Sequence, residues 1–160
     1  MAKMMLQHFD KLKHTYRVFL ASQSPRRKEI LERLHGLSFA QITSPFDERT
    51  LSKDGRTPQE FVEVSAVSKA NGLLEQLIGD VKVSNSDASE DTDSHSATST
   101  LEPLVIGADT VVVLDGKIME KPKDAAENLH FLQQMNGTSH LVCAHLAKCT
   151  YFRQIFLTRG

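Results

Sequence analysis

The first part of the chain alternates compact apolar runs with stretches of helical spacing. Val18-Phe19-Leu20-Ala21 is uninterrupted apolar sequence, and a strand is expected over residues 17–21. Residues 25–35 then place Ile30, Leu31 and Leu34 on one helical face, with Gly36 as the stop signal. A second strand is expected at 38–43, followed by a polar loop over 44–57 that contains Pro45, Asp54 and Gly55. Thr57-Pro58-Gln59-Glu60 combines a cap, a first-turn proline and an N3 glutamate, so a helix starts there. Its apolar face continues through Leu73, Leu74, Leu77 and Ile78 to an expected end near Gly79.

Residues 80–103 shift to serine, threonine and acid, with no lysine or arginine between Val83 and Thr100. Such a run buries too little apolar area to offset its ordering entropy, so a disordered loop is expected. Two strands follow, at 104–108 and 110–114, and Asp115-Gly116 reads as a hairpin turn into Lys117-Ile118-Met119. Asp124 with Glu127 marks a further helix start, with Ala125, Leu129 and Leu132 as its apolar face and Asn136-Gly137 as its end. A last strand is expected at 139–144. Alternating strands and helices predict an α/β fold, and the hairpin makes its sheet mixed.

Composition narrows the function classes. A chain of 160 residues with 40% hydrophobic and 24% charged residues fits one globular domain. A net charge of −1 provides no field for nucleic acid or an anionic membrane, so neither is an expected partner and any anion site must be local. Cys143 and Cys149 lack a CxxC spacing and the seven histidines form no HExxH motif, which predicts a reduced, cytoplasmic environment and no zinc. Apolar runs such as Val111-Val112-Val113-Leu114 are too short to span a bilayer. The first 17 residues mix Lys3, Lys11, Lys13 and Arg17 with Asp10 and lack an apolar core, so a short extension over 1–16 is expected and not a secretory signal.

Candidate chemistry begins at Ser24-Pro25-Arg26-Arg27. Ser24 can cap the orphan amides of the helix it opens, and Pro25 suits the first helical position. The helix start then carries partial positive charge, to which Arg26 and Arg27 add forked donors, so phosphate is the expected guest. Taken alone, the four residues also read as a capped helix with solvated arginines.

The run from Leu20 to Leu31, with its Ser-Pro-Arg-Arg core, resembles the N-terminal signature of the Maf family of nucleoside triphosphate pyrophosphatases. Gly107-Ala108-Asp109-Thr110, then Glu120-Lys121-Pro122, then Asn136-Gly137-Thr138-Ser139-His140 resemble that family's later blocks in the same order. The resemblance implies a Maf/inosine-triphosphatase-like mixed sheet with flanking helices and a central cleft, in a domain over 17–142 interrupted by the insertion at 80–103. It implies hydrolysis of dTTP or UTP, and by extension modified pyrimidine nucleotides, to the monophosphate and pyrophosphate. Asp109 corresponds to the family's proton acceptor and metal-holding aspartate, and Glu48 to a second acid that would complete a site for Mg2+ or Mn2+. Lys69 and Lys121 correspond to phosphate-binding lysines, while Arg26 and Thr110 stand at positions associated with substrate choice. The resemblance also implies a homodimer.

After Val142 the likeness fails. Where the family carries an aromatic-Thr-Gly-Val run, this chain has Cys143-Ala144-His145-Leu146, and residues 143–160 show no later family segment. A divergent tail is therefore expected, with the last quarter of the domain missing and sheet edges left to be covered by residues such as Tyr151, Phe152, Ile155, Phe156 and Leu157. Cys143, Cys149, His140 and His145 are expected as core or surface filler. The alternative to an active enzyme is a catalytically impaired, truncated form acting as a nucleotide-binding or regulatory protein; a third reading is a poorly folded product.

Overall fold

Strand β1 (Tyr16–Ala21) anchors the molecule, because Val18, Phe19, Leu20 and Ala21 are all buried. A strand covered on both faces reads as a continuous apolar run, which is why the sequence marks it so clearly. The computed structural model describes residues 12, 14–34, 37–86, 101–119, 121–150 and 153–156. On one edge β1 pairs in parallel with β2 (Phe39–Ile42), and on the other in parallel with β3 (Glu102–Leu114). Asp115 and Gly116, with φ of 48° and 75°, turn β3 back antiparallel into β4 (Lys117–Met119). Strand β5 (Leu141–Thr150) runs antiparallel to β3, and β6 (Arg153–Phe156) antiparallel to β5. The result is the expected mixed α/β sheet, with six strands among the described residues in the order β2-β1-β3-β5-β6 and β4 beside β3.

The sheet is accompanied by α1 (Pro25–Glu32), α2 (Pro58–Ser86) and α3 (Ala125–Met135). Helix α2 packs on β3 and β5, with Val62, Ala66, Ala70 and Leu73 fully enclosed. Its start is the predicted capping box: Glu60 N donates to Thr57 Oγ1 at 3.2 Å while Thr57 N donates to Glu60 Oε2 at 2.8 Å. Phe19, Ala21, Ala70, Leu73, Leu74, Val105 and Cys149 form the main core cluster.

Helix and sheet approach closely at Gly107. A Cβ there would sit 2.2 Å from the Ala66 carbonyl oxygen and 2.9 Å from the Ala70 Cβ. Glycine at this position lets α2 lie directly on β3, which fixes the height of every α2 side chain above the strand.

Several expectations need correction. Residues 104–108 and 110–114 are one strand, so Asp109 lies inside β3 and not at a strand end. Helix α2 continues past Gly79 to Ser86, since one glycine costs a helix only about 1 kcal/mol. Glu102 and Pro103 belong to β3, so both ends of the predicted loop at 80–103 are regular structure and 87–100 lie outside the described residues. Helix α1 ends at Glu32 with no buried residue and Ile30 62% exposed; Leu31 and Leu34 are half-buried, and His35 and Gly36 lie outside the described residues. Helix α3 keeps its predicted Asp124 cap, but its apolar face is uncovered, with Leu129 56% and Leu132 54% exposed. Strand β5 runs on to Thr150, and β6 pairs along it, so part of the segment expected as a divergent tail continues the sheet and covers its edge. Tyr151, Phe152 and Leu157 lie outside the described residues.

Substituting Gly107→Ala should cost stability, because the clash is with backbone and not with a movable side chain. A loss at or above the 1–3 kcal/mol typical of overpacking is expected from denaturant unfolding. A variant as stable as the parent would show that α2 does not sit this close to β3.

Candidate active site

The site follows from how the neighbours of β3 are distributed along its length. Strand β5 takes one edge of β3 from Leu104 to Val113. On the other edge β1 pairs with β3 only as far as Gly107, opposite Ala21, and β4 pairs from Val112 onward. Between them, residues 108–111 have no strand partner on that side among the described residues. The chain leaving β1 bends away through Ser22, Gln23 and Ser24 into α1, and this opens a cleft of about 490 Å³ over the gap. It lies beyond the carboxyl ends of the parallel strands β1 and β2, the usual ligand position in such sheets.

Arg27 fills the gap in the ladder. Its Nη1 donates to the Ala108 carbonyl at 2.9 Å and to Ser22 Oγ at 3.3 Å, and its Nη2 donates to Thr110 Oγ1 at 3.3 Å. A side chain thus supplies the donor that a neighbouring strand would have given. The guanidinium is positioned by α1, whose N-cap Ser24 accepts from Arg27 N at 3.4 Å with Pro25 in the first turn. Ser22, itself buried, also accepts from Ser24 N at 3.2 Å, which tightens the turn.

Asp109 points to the face of β3 that carries α2, two positions beyond Gly107. Lys69 lies on α2 between Ala66 and Ala70, the residues that touch Gly107, and its Nζ is 3.0 Å from Asp109 Oδ1. Both residues are only 6% exposed. The Lys69 ammonium is also 2.7 Å from Glu48 Oε1, and Lys121 Nζ reaches Glu48 Oε2 at 3.2 Å. Arg27 Nη2 stands 4.0 Å from Asp109 Oδ1. Two carboxylates and three cations therefore form one chain of contacts across the cleft.

The electrostatics of Glu48 follow from that chain. Burial disfavours its charged form, but hydrogen bonding and Coulomb attraction from Lys69, with Lys121 adding to both, outweigh it and hold the carboxyl below its ordinary value of 4.5. Asp47 serves a different purpose: it caps the 3-10 turn Glu48–Thr50 and pairs with Arg49 at 2.9 Å, which aims Glu48 into the cleft.

Of the residues singled out in the sequence, Ser24, Arg27, Glu48, Lys69, Asp109, Thr110 and Lys121 all line the cleft. Arg26 does not; it is exposed on the first turn of α1. Glu120 lies outside the described residues. Lys121 is at the rim, its side chain 86% exposed. Sequence reasoning missed Ser22, Gln23, Thr43, Ser44 and Phe46 as lining residues. Ser44 carried a signal, the Ser-Pro turn: its Oγ donates to the Lys69 carbonyl at 2.8 Å and accepts from Phe46 N at 3.2 Å, pinning the loop to α2. Gln23 Nε2 donates to Thr43 Oγ1 at 3.0 Å, a pairing across two loops that has no local signature.

A cleft of this build at the end of a mixed sheet agrees with the family comparison: the model described as Maf-like protein matches residues 17–154. The chain belongs to the Maf-like protein family. That match extends past Val142 through β5 and into β6, farther than the recognisable blocks. The Maf-like chain is 39% identical over 131 residues to a dTTP/UTP pyrophosphatase of Clostridium acetobutylicum, covering 82% of the chain and 58% of that relative. A protein of the same name from Pelotomaculum thermopropionicum is 39% identical over 130 residues, 81% of the chain and 54% of the relative. One from Bacillus velezensis is 36% identical over 140 residues, 88% of the chain and 60% of the relative. The Maf-like chain thus spans little more than half the length of the curated relatives it matches.

The depressed Glu48 pKa sets a pH dependence. A carboxylate stabilised in the folded state contributes stability above its unfolded pKa and loses it as pH falls through the folded value. Thermal melts of Glu48→Gln and the parent should differ at pH 7, and the gap should close as pH drops from about 4.5 and below. A gap unchanged at pH 3 would contradict the ion-paired assignment.

Proposed function

We propose that the chain hydrolyses nucleoside triphosphates, with dTTP and UTP preferred, to the nucleoside monophosphate and pyrophosphate. The observation that carries this reading is the convergence of Arg27, Lys69 and Lys121 with Asp109 and Glu48 around one cleft. Its volume falls in the range of small-molecule sites. The names of the relatives supply the pyrimidine preference and the bond cleaved.

In this mechanism the triphosphate lies across the cleft with its charge met by Lys69, Lys121 and the N-terminal turn of α1. Arg27 is largely committed to the edge of β3, so it contributes a fixed positive field and holds Thr110 in place. In the free protein Lys69 occupies Asp109 Oδ1, so that oxygen is not open to water. Phosphate oxygens draw the ammonium away, and Asp109 then accepts a proton from the water that attacks the α-phosphate. Arg26 stands outside the cleft and acts on substrate choice only through the first turn of α1.

The donor set suits a divalent cation of hard-oxygen preference. Glu48 and Asp109 each place an oxygen within 3.0 Å of a single point, the Lys69 Nζ, so the same two carboxylates can share a cation, with phosphate and water completing its shell. Mg2+ or Mn2+ would be held here jointly with substrate and not in a protein cage. When bound, such an ion neutralises charge on the phosphates. No described helix is long and apolar enough to cross a membrane, and a cytoplasmic location goes with the nucleotide substrate. The uncovered leucines of α3 support a homodimer as the working form.

The test is a panel of nucleoside triphosphates with Mg2+ or Mn2+, with pyrophosphate and orthophosphate detected separately. Pyrophosphate release from dTTP and UTP is expected, and Asp109→Asn should lower it by about 10²–10⁴-fold while the protein stays folded. Parent-level turnover in that variant would remove Asp109 as the base.

A further inference from the structure

One polar group beside Asp109 takes no part in the scheme above. His145 stands directly opposite Asp109 in the β3–β5 ladder. Antiparallel partners project to the same face of a sheet with Cβ atoms about 4.5–5.5 Å apart, so the imidazole and the carboxylate share the face covered by α2. The burial of β5 agrees, since Ala147 and Cys149, on the same alternation as His145, are each 2% exposed. The Nε2 atom of His145 is shielded from solvent and makes no hydrogen bond in the structure. A buried ring nitrogen without a partner is costly, and such groups in native proteins call for an explanation.

Asp109 offers one. Lys69 and Arg27 both approach its Oδ1, from the side of α2 and α1, whereas His145 lies across the ladder on the opposite flank of β3. The span between facing Cβ atoms is within reach of an imidazole and a carboxylate once the side chains turn toward each other.

We propose that His145 is a positioning residue for Asp109. When substrate draws Lys69 off Oδ1, the His145 Nε2–H bonds the carboxylate from the β5 side and keeps it aimed at the cleft. The imidazole does not touch substrate; it replaces a lost hydrogen bond at the moment the base is needed. The inference rests on the reading of Asp109 as that base.

The experiment uses the whole chain with two substitutions, His145→Met, which keeps the volume and removes the donor, and His145→Gln, which restores an N–H. With dTTP and magnesium, His145→Met should lower kcat about ten-fold, the worth of one hydrogen bond, and leave KM within about two-fold. His145→Gln should recover most of the loss. In 15N-labelled protein holding α,β-methylene-dTTP and magnesium, the His145 Nε2 resonance should move when Asp109 is replaced by asparagine. Unchanged kcat in His145→Met, a loss that glutamine does not rescue, or an Nε2 signal indifferent to Asp109→Asn would each overturn the proposal. If the parent turns over no nucleotide, the proposed function fails separately. The resonance then decides alone: a response to Asp109→Asn keeps the pairing, and none removes it.

Discussion

The structure depends on a break in one hydrogen-bond ladder. Strand β3 is the longest in the sheet and continuous, yet on one edge, among the described residues, its partners β1 and β4 leave residues 108–111 uncovered. Unpaired backbone in a sheet interior has to be satisfied, and the Arg27 guanidinium does this for the Ala108 carbonyl. That single substitution of side chain for strand leaves room for a ligand where a strand would otherwise be. It also commits an arginine at the N-terminal turn of α1 to a fixed place beside Asp109. Loss of Arg27 would therefore undo fold and site together.

The second constraint is vertical. Because Gly107 has no side chain, α2 rests on the backbone of β3, and Lys69 is brought level with Asp109. Two oppositely charged groups, each 6% exposed, are then locked together. Burial of such a pair is poor evidence of stabilisation, since the desolvation of both ions offsets their attraction, while removing one partner costs about 3–5 kcal/mol. A pair of this kind persists in a cleft when both members have work to do there. Glu48 and Lys121 extend it to the solvent, so the arrangement runs from a dry interior to a wet rim.

Much of this was legible in the chain itself. β1 was marked by its apolar run, the start of α2 by its capping box, the β3–β4 hairpin by Asp115-Gly116, and α1 by Ser24-Pro25, because each depends on local chemistry. The cleft residues were found where they sat in recognisable blocks. What failed was non-local. Asp109 was expected at a strand end because a buried carboxylate does not look like strand interior, and only the pairing with β5 explains why the strand continues. The sequence marks apolar faces on α1 and α3, but helical spacing says that a face exists and not that something covers it. The Gln23–Thr43 contact and the Asp109–His145 register join residues far apart in sequence, so no local pattern carries them.

The central claim is that this cleft holds a triphosphate so that Asp109 faces water at the α-phosphate. Hydrolysis of dTTP in water enriched in oxygen-18, followed by mass spectrometry of both products, tests it most directly. The account predicts label in the thymidine monophosphate and none in the pyrophosphate. Label in the pyrophosphate would place the attack at the β-phosphate and contradict it.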